Sequence, residues 1–187
     1  MVSLETPICE FNKPAIDFSL PDVDGKLWNL QDCAGEKGLL VMFICNHCPY
    51  VKAILSRLVR DTAELKAMGI DSVAIMSNDP TQFSEDSPEN MKQIAQDFDF
   101  SFPYLLDSTQ KTAQAYGAVC TPDFFGYNAD LQLQYRGRLD ASRKETAASD
   151  VKRDLFASMK QISQTGHGPK EQIPSMGCSI KWIDVNG

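Results

Sequence analysis

The chain has 187 residues, 43% of them apolar and 23% charged, and its 25 acidic against 18 basic residues give a formal net charge of −7. That length fits one folded domain with a full core, and the composition excludes a disordered chain or a coiled coil. The acidic balance argues against nucleic acid as a partner. The longest apolar run, Leu39 to Cys45, is too short for a bilayer, and the first ten residues lack a signal-peptide pattern, so a cytoplasmic protein with no membrane partner is expected.

In chain order, Ile16 to Leu20 and Leu27 to Leu30 flank Pro21-Asp22-Val23-Asp24-Gly25, which predicts a small hairpin. The turn lacks the downstream bidentate Glu of a calcium loop. Leu39 to Ile44 reads as a strand buried on both faces. Cys45-Asn46-His47-Cys48-Pro49 follows. Val51, Ile54, Leu55, Leu58, Thr62 and Leu65 then recur with helical spacing, with Pro49 in the first turn and Gly69 as the stop. Ser72 to Met76 is the next strand, so a β-α-β unit with parallel strands is expected. Ser87-Pro88-Glu89 starts a helix with Met91, Ile94, Ala95 and Phe98 on one face, while Asp79 to Glu89 reads as a solvated acidic loop. A short helix over Ser108 to Tyr116 ends before Gly117. Asp123 to Tyr127 and Leu131 to Tyr135 form an antiparallel hairpin. Val151, Leu155, Met159 and Ile162 mark a last helix that breaks at Gly166, after which a loop-like arm is expected. One domain results: a hairpin extension over 1–36, a core over 37–165 and an arm over 166–187.

The six cysteines stand at positions 9, 33, 45, 48, 120 and 178. In a reducing compartment, redox chemistry, metal binding and inert burial compete for them. Only Cys45 and Cys48 form a Cys-x-x-Cys pair, and it lies where a buried strand ends and a helix begins. Thiol exchange needs a thiolate, and a free thiol with a pKa of about 8.5 is only a few per cent ionised at pH 7. Lowering that pKa by two units takes roughly 2.7 kcal/mol of differential stabilisation. Helix N–H groups and a neighbouring imidazolium, His47, can supply it. A structural zinc site wants four ligands, which only His47, His167, Cys120 and Cys178 could complete. Copper or zinc binding through these thiols stays open as an alternative. Cys9 and Cys33 read as small apolar residues.

Five segments carry a resemblance: Asp17-Phe18-Ser19-Leu20-Pro21 with Asp24-Gly25-Lys26, Cys45 to Pro49, Tyr116 to Pro122, Tyr135-Arg136-Gly137-Arg138, and Gly177-Cys178-Ser179-Ile180-Lys181-Trp182. With Thr121-Pro122 placed 74 residues after the pair (122 − 48 = 74), the chain resembles the thioredoxin-like superfamily. More closely, it resembles the alkyl hydroperoxide reductase/thiol-specific antioxidant branch. The resemblance implies an α/β thioredoxin-like fold with a central mixed sheet flanked by helices. It implies a thiol–disulfide oxidoreductase, without cofactor or metal. Cys45, the more exposed cysteine, attacks; Cys48 resolves; Asn46, His47 and Pro49 tune the pair. Thr121 and a cis Pro122 shape the substrate groove. The partners it implies are a disulfide or peroxide substrate and a thiol reductant such as a thioredoxin-type protein, with a homodimer also expected. Cys120 and Cys178 are candidate auxiliary thiols, against the plainer reading of space filling and tail packing.

The competing reading within the same branch is a peroxiredoxin-like peroxidase with Cys48 as the peroxidatic thiol. Here Cys45 replaces that family's threonine and Val41 stands at its proline. No arginine near Pro122 matches its peroxide-polarising one, since Arg136 and Arg138 lie beyond the hairpin turn.

Overall fold

The computed structural model describes residues 2–183. Strand β1 (Ser3–Glu5) precedes the predicted hairpin of β2 (Ser19–Pro21) and β3 (Leu27–Asn29). The Asp22 carboxylate closes that turn by accepting from the Asp24 and Lys26 amides and the Trp28 indole, while Gly25 sits at φ 84°. A short helix not foreseen in the sequence, α1 (Leu30–Cys33), starts there because Asn29 and Asp32 form a reciprocal capping box.

The buried run becomes β4 (Gly38–Phe43). The single helix expected after it is two: α2 (Pro49–Lys52) and α3 (Leu55–Ala67). Nothing in the local sequence breaks it. The Thr146 hydroxyl donates to the Ala53 carbonyl at 2.7 Å, and the Ile54 amide turns to Val51, so a side chain enters the i→i−4 ladder. Next come β5 (Ile70–Met76), a 3-10 turn (Ser84–Asp86) and α4 (Pro88–Asp97), capped by Ser87 as predicted. They are followed by β6 (Tyr104–Leu106), α5 (Lys111–Tyr116) and β7 (Cys120–Thr121). The hairpin of β8 (Asp123–Asn128) and β9 (Leu133–Tyr135), α6 (Asp154–Thr165) and β10 (Met176–Ser179) complete the chain's elements.

The main sheet is mixed. β4, β8 and β9 are antiparallel neighbours, and β5 pairs with β6 in parallel. Backbone bonds from Lys37 to Gly69 and from Ile44 to Ile75 join both ends of β4 to the matching ends of β5, so these strands run parallel, as the β-α-β reading requires. Alternation divides the core between two faces. Leu40, Met42, Ile44, Ala74, Met76 and Phe124 pack with Leu58 and Leu65 of α3 and with Leu155 and Met159 of α6; this cluster contains Cys45 and Cys48. Leu39, Val41, Phe43, Val73, Ile75 and Phe125 pack on the opposite face under the N-terminal hairpin and α5.

The tail departs from the expected loop. β10 pairs antiparallel with both β1 and β7, forming a second, three-stranded sheet that joins the two ends of the chain at the cis Thr121-Pro122 bond. Gly177 permits this, because a Cβ there would overlap the Thr121 carbonyl oxygen. Gly177→Ala is expected to cost about 1–3 kcal/mol by overpacking and to speed thiol labelling of Cys48. Chemical denaturation and alkylation rates measure the two effects, and wild-type behaviour in both would refute the role given to this glycine.

Candidate redox site around Cys45 and Cys48

The register of β4 on β8 sets Phe43 opposite Asp123, which brings Thr121-Pro122 beside the residues that follow β4. Cys45 is two residues beyond β4, and Cys48 is the N-cap of α2 with Pro49 at the first helical position. The Cys45 sulfur lies 3.2 Å from the Thr121 hydroxyl, and the Cys48 sulfur 3.1 Å from the Thr121 carbonyl. Cysteine pair, helix terminus and Thr-Pro turn thus converge as the resemblance implies, and all six cysteines are free thiols.

The two sulfurs differ in a way the sequence did not indicate. Neither is open to solvent: Cys45 is 1% exposed and Cys48 0%, so Cys45 is not a distinctly exposed member of the pair. The negative charge belongs on Cys48. The neighbouring Cys45 thiol first, and then, against the cost of burial, the polar groups of Cys178 and Val51 draw its pKa down to about 5. Cys45 is pushed up by burial first, then by its bond to Cys48 and by the Asp86 carboxylate, with the Thr121 hydroxyl opposing. The Thr121 carbonyl, which accepts from the Cys48 thiol at 3.1 Å, suits the protonated form and opposes this lowering.

Asp86 is the residue that sequence reasoning missed. The segment read as a solvated loop carries it into the interior, where it is fully buried at the end of the 3-10 turn. Its carboxylate accepts from the Asn46 amide at 2.8 Å, the His47 amide at 3.1 Å, His47 Nδ1 at 2.5 Å and Asn78 Nδ2 at 2.9 Å. Burial would raise its pKa, but the bonds from His47 and Asn78 hold the carboxyl below the usual range. The two residues between the cysteines therefore anchor the loop. Asn46 also donates to the Glu85 carbonyl and accepts from the Tyr104 hydroxyl. The His47 ring is turned to Asp86 and stacked on Phe83 at 4.0 Å, and its Nε2 is buried without a hydrogen-bond partner among the described residues. The ring expected from sequence to tune Cys48 is thus engaged by Asp86 and Phe83.

Donor atoms of Cys45, His47 and Asp86 lie within 4.8 Å of one another, so this trio could hold a cation. Asp86 already accepts four hydrogen bonds, and a metal would have to displace some of them. His167, weighed as a further ligand, follows α6 in a surface loop that bonds back to Gln161 and Thr165.

Cys178 reaches the site: β10 sets it opposite Thr121, buried, with its thiol toward Cys48. Cys120 is adjacent to the turn, but its thiol is directed at the Pro122 carbonyl, 3.7 Å away, and burial pushes its pKa up. Arg136 comes close to the turn without reaching the sulfurs. Although distant in the chain, its guanidinium pairs with Asp123 beside Pro122 at 3.0 Å and donates to the Gly117 carbonyl. It stacks on Phe125, on the sheet face opposite the cysteines.

A family model described as "AhpC/TSA family" matches residues 11–141. Peroxiredoxin Bcp of Escherichia coli (strain K12) is 28% identical over 127 residues, covering 68% of this chain and 76% of that protein. Among solved structures, an uncharacterized conserved protein from Geobacillus kaustophilus is 42% identical, with a TM-score of 0.92 and 98% of each chain covered. A hypothetical protein, SMc02350, from Sinorhizobium meliloti 1021 is 37% identical, with a TM-score of 0.88 and coverage of 97% of this chain and 98% of that one. More distant thiol–disulfide oxidoreductases, at 15–16% identity, share the fold alone.

Proposed function

The chain belongs to the AhpC/TSA family of thioredoxin-like proteins, and from that premise we propose that it is a thiol–disulfide oxidoreductase whose redox couple is Cys45 and Cys48. The observation that carries this reading is the convergence of the two buried sulfurs on Thr121, Cys48 at a helix N-cap beside its carbonyl and Cys45 beside its hydroxyl. Cys48 attacks one sulfur of a substrate disulfide, and Cys45 displaces the substrate from the mixed disulfide. These roles reverse the order expected from sequence. The Cys45 proton, next to the buried His47–Asp86 pair, goes to the departing thiolate. A thiol reductant of the thioredoxin type then restores the dithiol in a reducing compartment such as the cytoplasm. Because the lowered pKa of Cys48 favours the reduced form, a midpoint potential above the roughly −270 mV of thioredoxin is expected.

A low-pKa Cys48 also favours the second reading, a thiol peroxidase. Arg136 on the opposite face supplies no cation beside that sulfur. Two measurements separate the readings. The reduced protein, mixed with glutathione disulfide, should lose two thiols and form a Cys45–Cys48 disulfide by peptide mapping. In stopped flow with hydrogen peroxide, oxidation no faster than that of free cysteine would remove the peroxidase. Fast peroxide oxidation with no reaction toward disulfides would replace the main reading.

A further inference from the structure

The Cys45/Cys48 couple leaves one sulfur at the site without a task. The antiparallel register sets Cys178 opposite Thr121 and Ser179 opposite Cys120, so the side chain of Cys178 follows Thr121 toward the cysteine pair. The Thr121 carbonyl touches the Cys48 sulfur, at 3.1 Å, so the strand position opposite Thr121 is the one next to that sulfur. Cys45, Cys48 and Cys178 belong to one buried cluster, and α2 packs on β10. Gly177, with no Cβ to hold the strands apart, lets β10 lie this close. Burial raises both flanking thiols, Cys45 and Cys178, so each stands as a protonated partner of Cys48.

We propose that Cys178 is a second resolving thiol for Cys48, so that oxidation of this site ends in either a Cys45–Cys48 or a Cys48–Cys178 disulfide. The inference rests on the reading of Cys45 and Cys48 as the redox couple. The Cys48 thiolate attacks a disulfide R–S–S–R′, forming Cys48–S–S–R and releasing R′–S⁻. The Cys178 sulfur then attacks Cys48, the Cys48–S–R bond breaks, and R–S⁻ leaves with the Cys178 proton. Two electrons pass from the protein dithiol to the substrate disulfide, and the reductant returns them. Burial holds Cys178 protonated up to about 12, with Lys181 and Lys144 partly opposing, so it attacks as Cys45 does, giving up its proton as the new bond forms. Cys120 takes no part, since its thiol is directed at the Pro122 carbonyl.

The test uses the full chain with glutathione disulfide as probe, thiol titration and non-reducing peptide mapping. Cys45→Ser has five thiols (6 − 1 = 5). It should fall to three (5 − 2 = 3), with Cys48 joined to Cys178. The double variant Cys45→Ser/Cys178→Ser should instead hold glutathione on Cys48, at least tenfold more of it than Cys45→Ser. A stable Cys48–glutathione adduct in Cys45→Ser, while the wild type forms Cys45–Cys48, would overturn this inference and leave the couple standing. If the wild type forms no disulfide at all, the couple and the second resolving thiol fall together. Partial oxidation of the unaltered protein guards against a misfolded variant: peptide mapping should find both disulfides, and finding Cys45–Cys48 alone counts against the proposal.

Discussion

Replacing Cys48 by serine is expected to lower iodoacetamide labelling of the site at pH 6 by a factor of about 300 or more and to abolish disulfide reduction. With a pKa of about 5, nine-tenths of Cys48 is thiolate at that pH. A free thiol with a pKa of about 8.5 is only about 0.3% ionised there, which sets the factor. Cys45 cannot compensate, because burial and Asp86 both keep it protonated. Two substitutions at Cys45 test the origin of the effect. In Cys45→Ser the hydroxyl can still donate to the Cys48 sulfur, so labelling at pH 6 persists while resolution by residue 45 is lost. In Cys45→Ala the first of the donors is gone, and the midpoint of the labelling profile should move to higher pH. Wild-type labelling at pH 6 in Cys48→Ser would show that the charge resides elsewhere.

The second large effect is on stability. Asp86→Ala strands two backbone amides, the Asn78 side chain and His47 Nδ1 in the interior. Each buried unsatisfied donor costs about 1–3 kcal/mol. Because one water entering the cavity can serve several of these donors, we expect a loss of about 4 kcal/mol. In a domain of this size that lowers the melting temperature by about 8–16 °C. Asp86→Asn should cost less, since one oxygen can still serve the Asn46 and His47 amides. The pH dependence has a definite sign. The folded pKa of Asp86 lies below its ordinary 3.8, so its stabilisation is present above that value and is lost as pH falls through the folded pKa. The acid limb of the wild-type stability curve should therefore be shallower in Asp86→Ala. Urea titrations from pH 2.5 to 7 measure this, and a variant within 1 kcal/mol of wild type would contradict the anchoring role.

What the sequence revealed follows the range over which each signal acts. The strand before Cys45 and the helical stripe after Cys48 were legible because burial imposes its period on neighbouring residues. The hairpin around Asp22 and the Ser87 cap were legible for the same reason, since turn and cap chemistry is local. The approach of Thr121-Pro122 to the cysteines could be expected only through family resemblance, as no spacing rule links residues so far apart. Asp86 was hidden because an acid among turn formers looks solvated. It becomes buried only when the chain returns across Asn46 and His47, about 40 positions earlier. The break between α2 and α3 has no proline or glycine to announce it; a threonine 93 residues away makes it. β1 and β10 have three and four residues, too short to show alternation, and each acquires strand geometry only from the other and from β7. The choice between the two cysteines likewise depended on how each is buried and on which neighbours surround it, above all on each other.

The small sheet at the ends of the chain also sets a timetable for biosynthesis. Cys178 follows Cys48 by 130 residues (178 − 48 = 130), and a ribosome adding roughly 5–20 residues per second needs about 7–26 s to make that stretch. Throughout that interval the nascent chain carries its cysteine pair with no β10 to pack over it. The newborn protein therefore presents these sulfurs more openly than the finished one, and passing oxidants or thiophilic ions would meet the pair most easily before translation reaches Gly177.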